Sequence, residues 1–211
     1  MKDLIIIGAG GFARELLSYI KEEISNNYFQ YNLIGFIDDN LNSFGERETG
    51  YDIIDTITSH KIREEAVYLC AIADPKTRLK IGNDFLEKGA TFINYFHHTA
   101  EIRERVKMGV GNIFCPHTWA NPDTSIGNFV LVNNLSGFAH DCIIGDACTI
   151  NGACQINGNN TLGKGVFMGS GAIIVPGRRI GDFVKISAGA VIFSNVKDNR
   201  TMVGNPATML K

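Results

Sequence analysis

The sequence holds five histidines, and only His140 stands where its neighbours are small or apolar, in Ala139-His140-Asp141-Cys142-Ile143-Ile144-Gly145-Asp146. Imidazole as a residue type titrates near neutrality, so a placed histidine can take a proton from an attacking amine or hydroxyl. Asp141 follows directly, and a carboxylate beside an imidazole can fix its tautomer and raise its basicity. The plainer reading is a surface histidine on a turn. His117, after Cys115-Pro116, is the second candidate base. His97 and His98 stand at a junction between two differently patterned regions, and His60, among polar residues, is expected to be solvated. No pair has metal-ligand spacing, so no metal is expected. The five cysteines are odd in number and lack CxxC spacing, which argues against a disulfide framework or a zinc site.

A second chemistry is suggested near the N-terminus. Asp3–Ile7 reads as a buried strand and runs into Gly8-Ala9-Gly10-Gly11, then into a helix over Phe12–Ile24. Glycines there allow a phosphate close to the backbone, and the helix start offers free N–H groups. Leu33–Ile37 is a second strand, ending in Asp38-Asp39. Val67–Ala71 is a third, followed by Asp74-Pro75, a helix over Lys76–Lys88 with Gly89 at its end, and a short strand at Thr91–Ile93. The literal GxGxxG pattern meets Ala13 in place of its last glycine. The acidic pair falls about 30 residues after Gly8 rather than the usual ~20. The unit is also about half a full doubly wound fold. A mononucleotide part of a substrate therefore fits better than a dinucleotide, and a merely tight turn is the alternative.

These residues must be held by two kinds of element. Residues 1–95 read as a small Rossmann-like α/β domain. From Ile102 to Ile192, counting in sixes meets sixteen apolar residues without a slip. Period six is neither helix nor ordinary strand; it marks the hexapeptide repeat of a parallel β-helix. Four residues after each repeat start, a small or β-branched residue recurs from Thr118 to Val196. Asn160 and Arg178 break that rule, so a loop or distorted turn is expected there. Cys142, Cys148 and Cys154 share this position and read as core residues; Cys115 is expected to be partly exposed. Three hexapeptides per coil give roughly five coils over residues 96–195. Residues 196–211, with a turn at Gly204-Asn205-Pro206-Ala207, read as a cap that ends in a short last helix.

Net charge is −2, which gives no reason to expect nucleic acid as a partner. Thr161–Lys211 nevertheless carries seven Lys or Arg against two acids, enough to attract a polyanionic small ligand. No stretch approaches the ~20 apolar residues of a membrane span, and the opening run is too short for a signal peptide. A cytoplasmic location is expected.

The hexapeptides together with Val203-Gly204-Asn205-Pro206-Ala207 resemble left-handed β-helix acyltransferases. The glycine turn, Phe36-Ile37-Asp38-Asp39 and the His140 segment together resemble a narrower group over nearly the whole chain. It is the sialic acid O-acetyltransferase (NeuD) and PglD-type nucleotide-sugar N-acetyltransferase family. The resemblance implies a left-handed helix, acetyl-CoA as co-substrate, a nucleotide-linked amino sugar as acceptor, and a homotrimer with CoA between adjacent helices. It implies His140 as general base, assisted by Asp141. Asn133 matches an active-site asparagine, with Asn134 beside it as the other reading. It implies CoA contacts at Thr149, Gly158, Ser170 and Ala188, with a Gly158 N–H for the thioester oxygen, and Arg178, Arg179 and Lys185 for the phosphates. For the acceptor it implies Gly10, Gly11, Phe12, Asp38, Asp39 and Ala73. Phe12 stands where relatives carry a histidine, and Ala73 where they carry a glycine. O-acetylation of a sialic-acid-type sugar, a non-catalytic nucleotide-sugar-binding scaffold and, more remotely, an NAD-dependent oxidoreductase remain as alternatives.

Overall fold

A computed structural model describes residues 1–210; Lys211, one of the seven basic residues counted above, lies outside them. The N-terminal domain begins with β1 (Asp3–Ile7), α1 (Gly11–Ser25), β2 (Asn32–Ile37), β3 (Ile53–Asp55), β4 (Ala66–Cys70), α2 (Pro75–Glu87) and β5 (Thr91–Phe92). Its strands form a parallel sheet in the order β3-β2-β1-β4-β5. Leu4, Ile5, Ile6 and Ile7 are all buried, as a central parallel strand covered on both faces requires. Ala13, Leu16, Leu17 and Ile20 recur at helical spacing and put one face of α1 in the core. Asp74 caps α2 by accepting the Thr77 N–H at 2.8 Å, with Pro75 at the first helical position. β3 has no counterpart among the expected strands, being three residues long and only partly buried.

The remainder is a parallel β-helix of two-residue strands, one every six residues. Strands 18 residues apart pair in parallel, as Leu131–Val132 does with Thr149–Ile150, and build three flat faces. The first face starts at Tyr95–Phe96, the second at Glu101–Ile102 and the third at Lys107–Met108. Fifteen strands from Tyr95 to Ile180 make five coils, and Lys185–Ile186, Val191–Ile192 and a bridge from Ile180 to Val196 make a sixth. The repeat starts and the residues four further on fill one continuous core from Phe114 to Met202.

At every corner from residue 105 to 189 one residue has a left-handed backbone, fifteen in succession and ten of them not glycine. Such a residue is disfavoured in isolation. From Phe129 onward its N–H bonds a carbonyl of the preceding coil, as Asp141 N–H does to Pro122 O at 3.2 Å and Asn159 N–H to His140 O at 3.0 Å.

Asn160 and Arg178 do not interrupt the coils. Asn160 is buried, but its amide donates to Asn157 O at 2.7 Å and its Oδ1 accepts the Arg178 N–H at 2.6 Å, so the polar side chain bridges two coils in place of a loop. Cys142, Cys148 and Cys154 are core residues, and burial pushes the Cys148 and Cys154 thiols up to about 12 and 11. Cys115 is also fully buried rather than partly exposed, because the N-terminal domain covers it. The tail forms a hairpin in place of the expected helix: Thr201–Val203 pairs with Lys185–Ile186 and with Thr208–Met209, extending the first face. Among the described residues no helix is long and apolar enough to cross a membrane.

The N-terminal domain lies across the first face, from one corner to the other. At one corner Tyr19 of α1 lies 3.0 Å from the Asn134 amide nitrogen. At the other, Gly82 of α2 leaves room for the Phe129 ring, which a Cβ there would meet at 2.7 Å. Between them Arg78 is fully buried and donates to Ile72 O, Ala73 O, Phe129 O, Ala147 O, Cys148 O and Thr149 Oγ1, at 2.6 to 3.1 Å. No acceptor carries a charge, and burial pulls the guanidinium pKa down to about 10.

Candidate active site

His140 sits on the corner between the second and third faces, two residues after the strand Gly137–Phe138. Asp141 occupies the left-handed position of that corner, with φ of 59°. Its Oδ2 lies 2.7 Å from His140 Nδ1, and the imidazole is 61% exposed. With Nδ1–H donated to the carboxylate, Nε2 is the open proton acceptor. The ring rests on Gly158, the equivalent residue one coil on. A Cβ there would stand 2.7 Å from both Cε1 and Nε2, so the ring's position requires glycine. No hydrogen bond among the described residues uses the Gly158 N–H. Pro176 follows Gly158 in the same column, with Arg178 and Arg179 just beyond it. The corner therefore lines up a base, an N–H without a partner and two cationic side chains.

The other expected residues divide between separate parts of the molecule. Asn133 is on the corner between the first and second faces, where its Nδ2 donates to Asn151 Oδ1 at 3.3 Å and its Oδ1 lies 3.5 Å from Cys115 Sγ. Asn134 is taken up by Tyr19 and holds α1. Ser170 and Ala188 are exposed on the same corner as Asn133, across the width of the second face from the corner of His140 and Gly158. Thr149 is corrected outright as a side-chain contact for CoA. It is 1% exposed, accepts from Arg78 at 2.7 Å and donates to Ala73 O at 3.0 Å, so its hydroxyl joins the two domains. Lys185 is separated from Arg178 and Arg179: it lies on the first face, in a pocket of about 320 Å³ with Ala73, Asp74, Lys76, Phe167 and Phe183.

In the N-terminal domain the three glycines differ. Gly8 has φ of +94° and a Cβ would meet Ile72 Cγ1 at 2.8 Å, so the fold itself demands it. Gly10 has an ordinary φ of −72° and nothing within 4 Å of a Cβ; Gly11 would meet only the tip of Arg14. Neither is needed for packing, and both open the space before α1. That helix start has no side-chain cap and no acid in its first turn, leaving its N–H groups available to an anion. Asp38 fixes the loop by accepting the Ala9 N–H at 2.7 Å. Asp39 turns the other way, accepting from Thr58 N–H and Oγ1 at 2.9 and 3.0 Å, beside a cleft of about 570 Å³ shared with Lys76 and Lys80. Phe12 is half-buried against the α1 core, and Ala73 is exposed at the end of β4.

Other histidines take structural places. His60 is buried rather than solvated: its ring stacks on Phe85, with Asp55 Oδ2 and Tyr68 Oη each 3.1 Å from a ring nitrogen. His117 is a left-handed corner residue whose N–H donates to Thr99 Oγ1. Arg78 and Tyr19 escaped the sequence reading. Each lies on a helix where a lone polar residue reads as solvent-facing, and only the docking of the two domains reveals its partners.

The PglD N-terminal domain family matches residues 3–85. The chain is 31% identical over 212 residues to a GDP-perosamine N-acetyltransferase of Escherichia coli O157:H7, covering 98% of this chain and 95% of the relative. In fold it is similar to the acetyltransferase domain of PglB from Neisseria gonorrhoeae FA1090, solved with acetyl coenzyme A, at a TM-score of 0.88, 24% identity and 99% coverage of both chains. It is also similar to PerB from Caulobacter crescentus, solved with CoA and GDP-perosamine, at a TM-score of 0.86 and 24% identity over 100% of this chain and 98% of that one. A left-handed parallel β-helix behind a Rossmann-like domain, and a full-length relative above 30% identity, lead to one assignment: the chain belongs to the PglD-type nucleotide-sugar N-acetyltransferase family.

Proposed function

We propose that this protein transfers the acetyl group of acetyl-CoA to the amine of a nucleotide-linked amino sugar, at a site completed by a second copy of the chain. The activity is that of the full-length relative. The observation that carries the shared site is the position of the N-terminal domain. It spans the first face from Asn134 to Phe129, and His140 stands on the opposite vertex of the same prism. A sugar held near Gly10, Gly11 and Ala73 is therefore on the wrong side for the His140 of its own subunit. A neighbouring subunit's His140 corner, facing the corner of Asn133, Ser170 and Ala188, would bring the two divided sets of residues together. A closed ring of three prisms satisfies this for every copy.

In the reaction, the sugar nitrogen attacks the thioester carbonyl carbon while His140 Nε2 takes its proton. Asp141 supports the resulting imidazolium. The oxyanion forms against the Gly158 N–H. Collapse breaks the carbon–sulfur bond, and the imidazolium returns the proton to the departing thiolate, leaving an amide and free CoA. Arg178 and Arg179, two coils further along the same corner, suit the CoA phosphates. A reaction between acetyl-CoA and a nucleotide-linked sugar fits a cytoplasmic step in the making of a surface glycan.

The test is thiol release from acetyl-CoA with a panel of UDP-, dTDP- and GDP-linked 3-amino and 4-amino sugars. His140→Ala should slow turnover at least ~100-fold. Undiminished turnover in that variant removes the mechanism, and transfer to sialic acid alone selects O-acetylation. Co-assembly of His140→Ala with a variant defective in the Gly10 loop should restore activity in mixed oligomers. A monomer by light scattering that is fully active sinks the shared site.

A further inference from the structure

A cluster of ligand-type side chains lies outside the proposed reaction, where the end of α1 meets the first coil. Glu22, His97 and His98 each offer one donor atom, and the three atoms lie within 4.8 Å of one another. We propose that Glu22, His97 and His98 bind a divalent transition-metal ion of the zinc class, which ties the N-terminal domain to the start of the β-helix.

The first support is His97 itself. Its side chain is only 4% exposed, and its Nε2 has no hydrogen-bond partner. A buried nitrogen without a partner is costly and rare. The nearest carboxylate oxygen, Glu22 Oε2, stands 4.0 Å away, too far for a hydrogen bond but suited to a cation between the two. The Nδ1 of the same ring lies 2.8 Å from Thr99 Oγ1, which fixes the ring and leaves Nε2 aimed at the cluster.

The second support is charge. Glu22 and Glu23 both sit in the last turn of α1, which contains no basic residue. A helix C-terminus is itself negative, so two carboxylates there are unfavourable without a cation. Glu23 is buried, accepts the His98 N–H at 2.6 Å and lies 3.4 Å from His98 Nδ1. A carboxylate behind a ligating imidazole is the usual outer support of such a site. Two imidazoles and one carboxylate oxygen suit zinc, with water at a fourth position. Zinc–nitrogen and zinc–oxygen bonds of about 2.0–2.1 Å place tetrahedral donors about 3.4 Å apart. Glu22 and His98, 53% and 32% exposed, can rotate inward to close that gap around the fixed His97.

The test uses the full chain, stripped with a chelator and then titrated with Zn²⁺ by calorimetry and with Co²⁺ by visible absorption. The expected result is one ion per subunit, ligand-field bands of a low-coordinate Co²⁺ site, and a Tm that rises with Zn²⁺ concentration. Glu22→Gln and His98→Ala, both on exposed side chains, should each weaken binding at least ~10-fold. His140→Ala should leave it unchanged. Absence of saturable binding up to about 1 mM ion, or unaltered affinity in Glu22→Gln, overturns the proposal. Loss of binding in His140→Ala would also overturn it, by moving the ion to the His140–Asp141 corner. None of these readouts depends on acetyl transfer, so the two proposals stand or fall separately.

Discussion

Gly158→Ala isolates the contact on which the proposed base depends. The backbone at this position is not in the left-handed region, so alanine is admissible there. What the methyl group meets is His140: Cε1 and Nε2 at 2.7 Å and Nδ1 at 3.2 Å. Ordinary carbon contacts lie at about 3.5–4.0 Å. The ring must therefore move outward by about 1 Å, or tilt away from its 2.7 Å contact with Asp141. Because the imidazole is exposed, that movement costs the fold little, and stability should change by less than about 0.5 kcal/mol. A misplacement of about 1 Å can cost ~100-fold in rate, or about 2.7 kcal/mol in the barrier. The assay is kcat by thiol release, with the urea midpoint measured in parallel. The decisive control is the double variant. In a His140→Ala background the added methyl has no ring to displace, so it should cost no more than about twofold. Full activity in Gly158→Ala refutes the reasoning, and so does an equal loss in both backgrounds.

Three further predictions concern the parts that carry the acceptor. Arg78→Met removes the donor from six neutral acceptors at the domain junction and should destabilise the protein by about 3–5 kcal/mol, read as the urea midpoint; a change below about 0.5 kcal/mol would show the junction does not depend on it. Gly8→Ala should destabilise by about 1–3 kcal/mol through its φ of +94° and the clash with Ile72. Gly10→Ala should leave the urea midpoint unmoved yet raise KM for the nucleotide sugar at least ~10-fold, and equal KM values would remove Gly10 from the acceptor site.

The solenoid was readable because its core allows few residue types: a side chain that points into a narrow prism must be apolar or small, and six-residue spacing makes the rule visible. The corners were not readable. Their left-handed position holds Phe129, Leu135, Asp141, Ala147 and Phe183 among others, because hydrogen bonds between coils, rather than residue type, sustain the backbone there. Asn160 broke the core rule without breaking the coil, since an amide that meets a carbonyl and an N–H inside the prism satisfies itself. The domain junction was hidden for a different reason. Thr149, Cys115 and Arg78 change from surface to interior only when the α/β domain covers the first face, and that docking has no period in the sequence. His140 beside Asp141 could be picked out by type alone; its dependence on Gly158 needed the stacking of one coil on the next.

The repeat also makes the protein a ruler. Each coil uses 18 residues and stacks on the next at strand spacing, about 4.8 Å. From His140 to the coil of Arg178 is two steps, hence about 10 Å along the prism. Inserting or deleting one coil between them would change that separation by a whole step while leaving every core position in phase. Distances along this corner are thus quantised, and any ligand lying along it must match a whole number of coils.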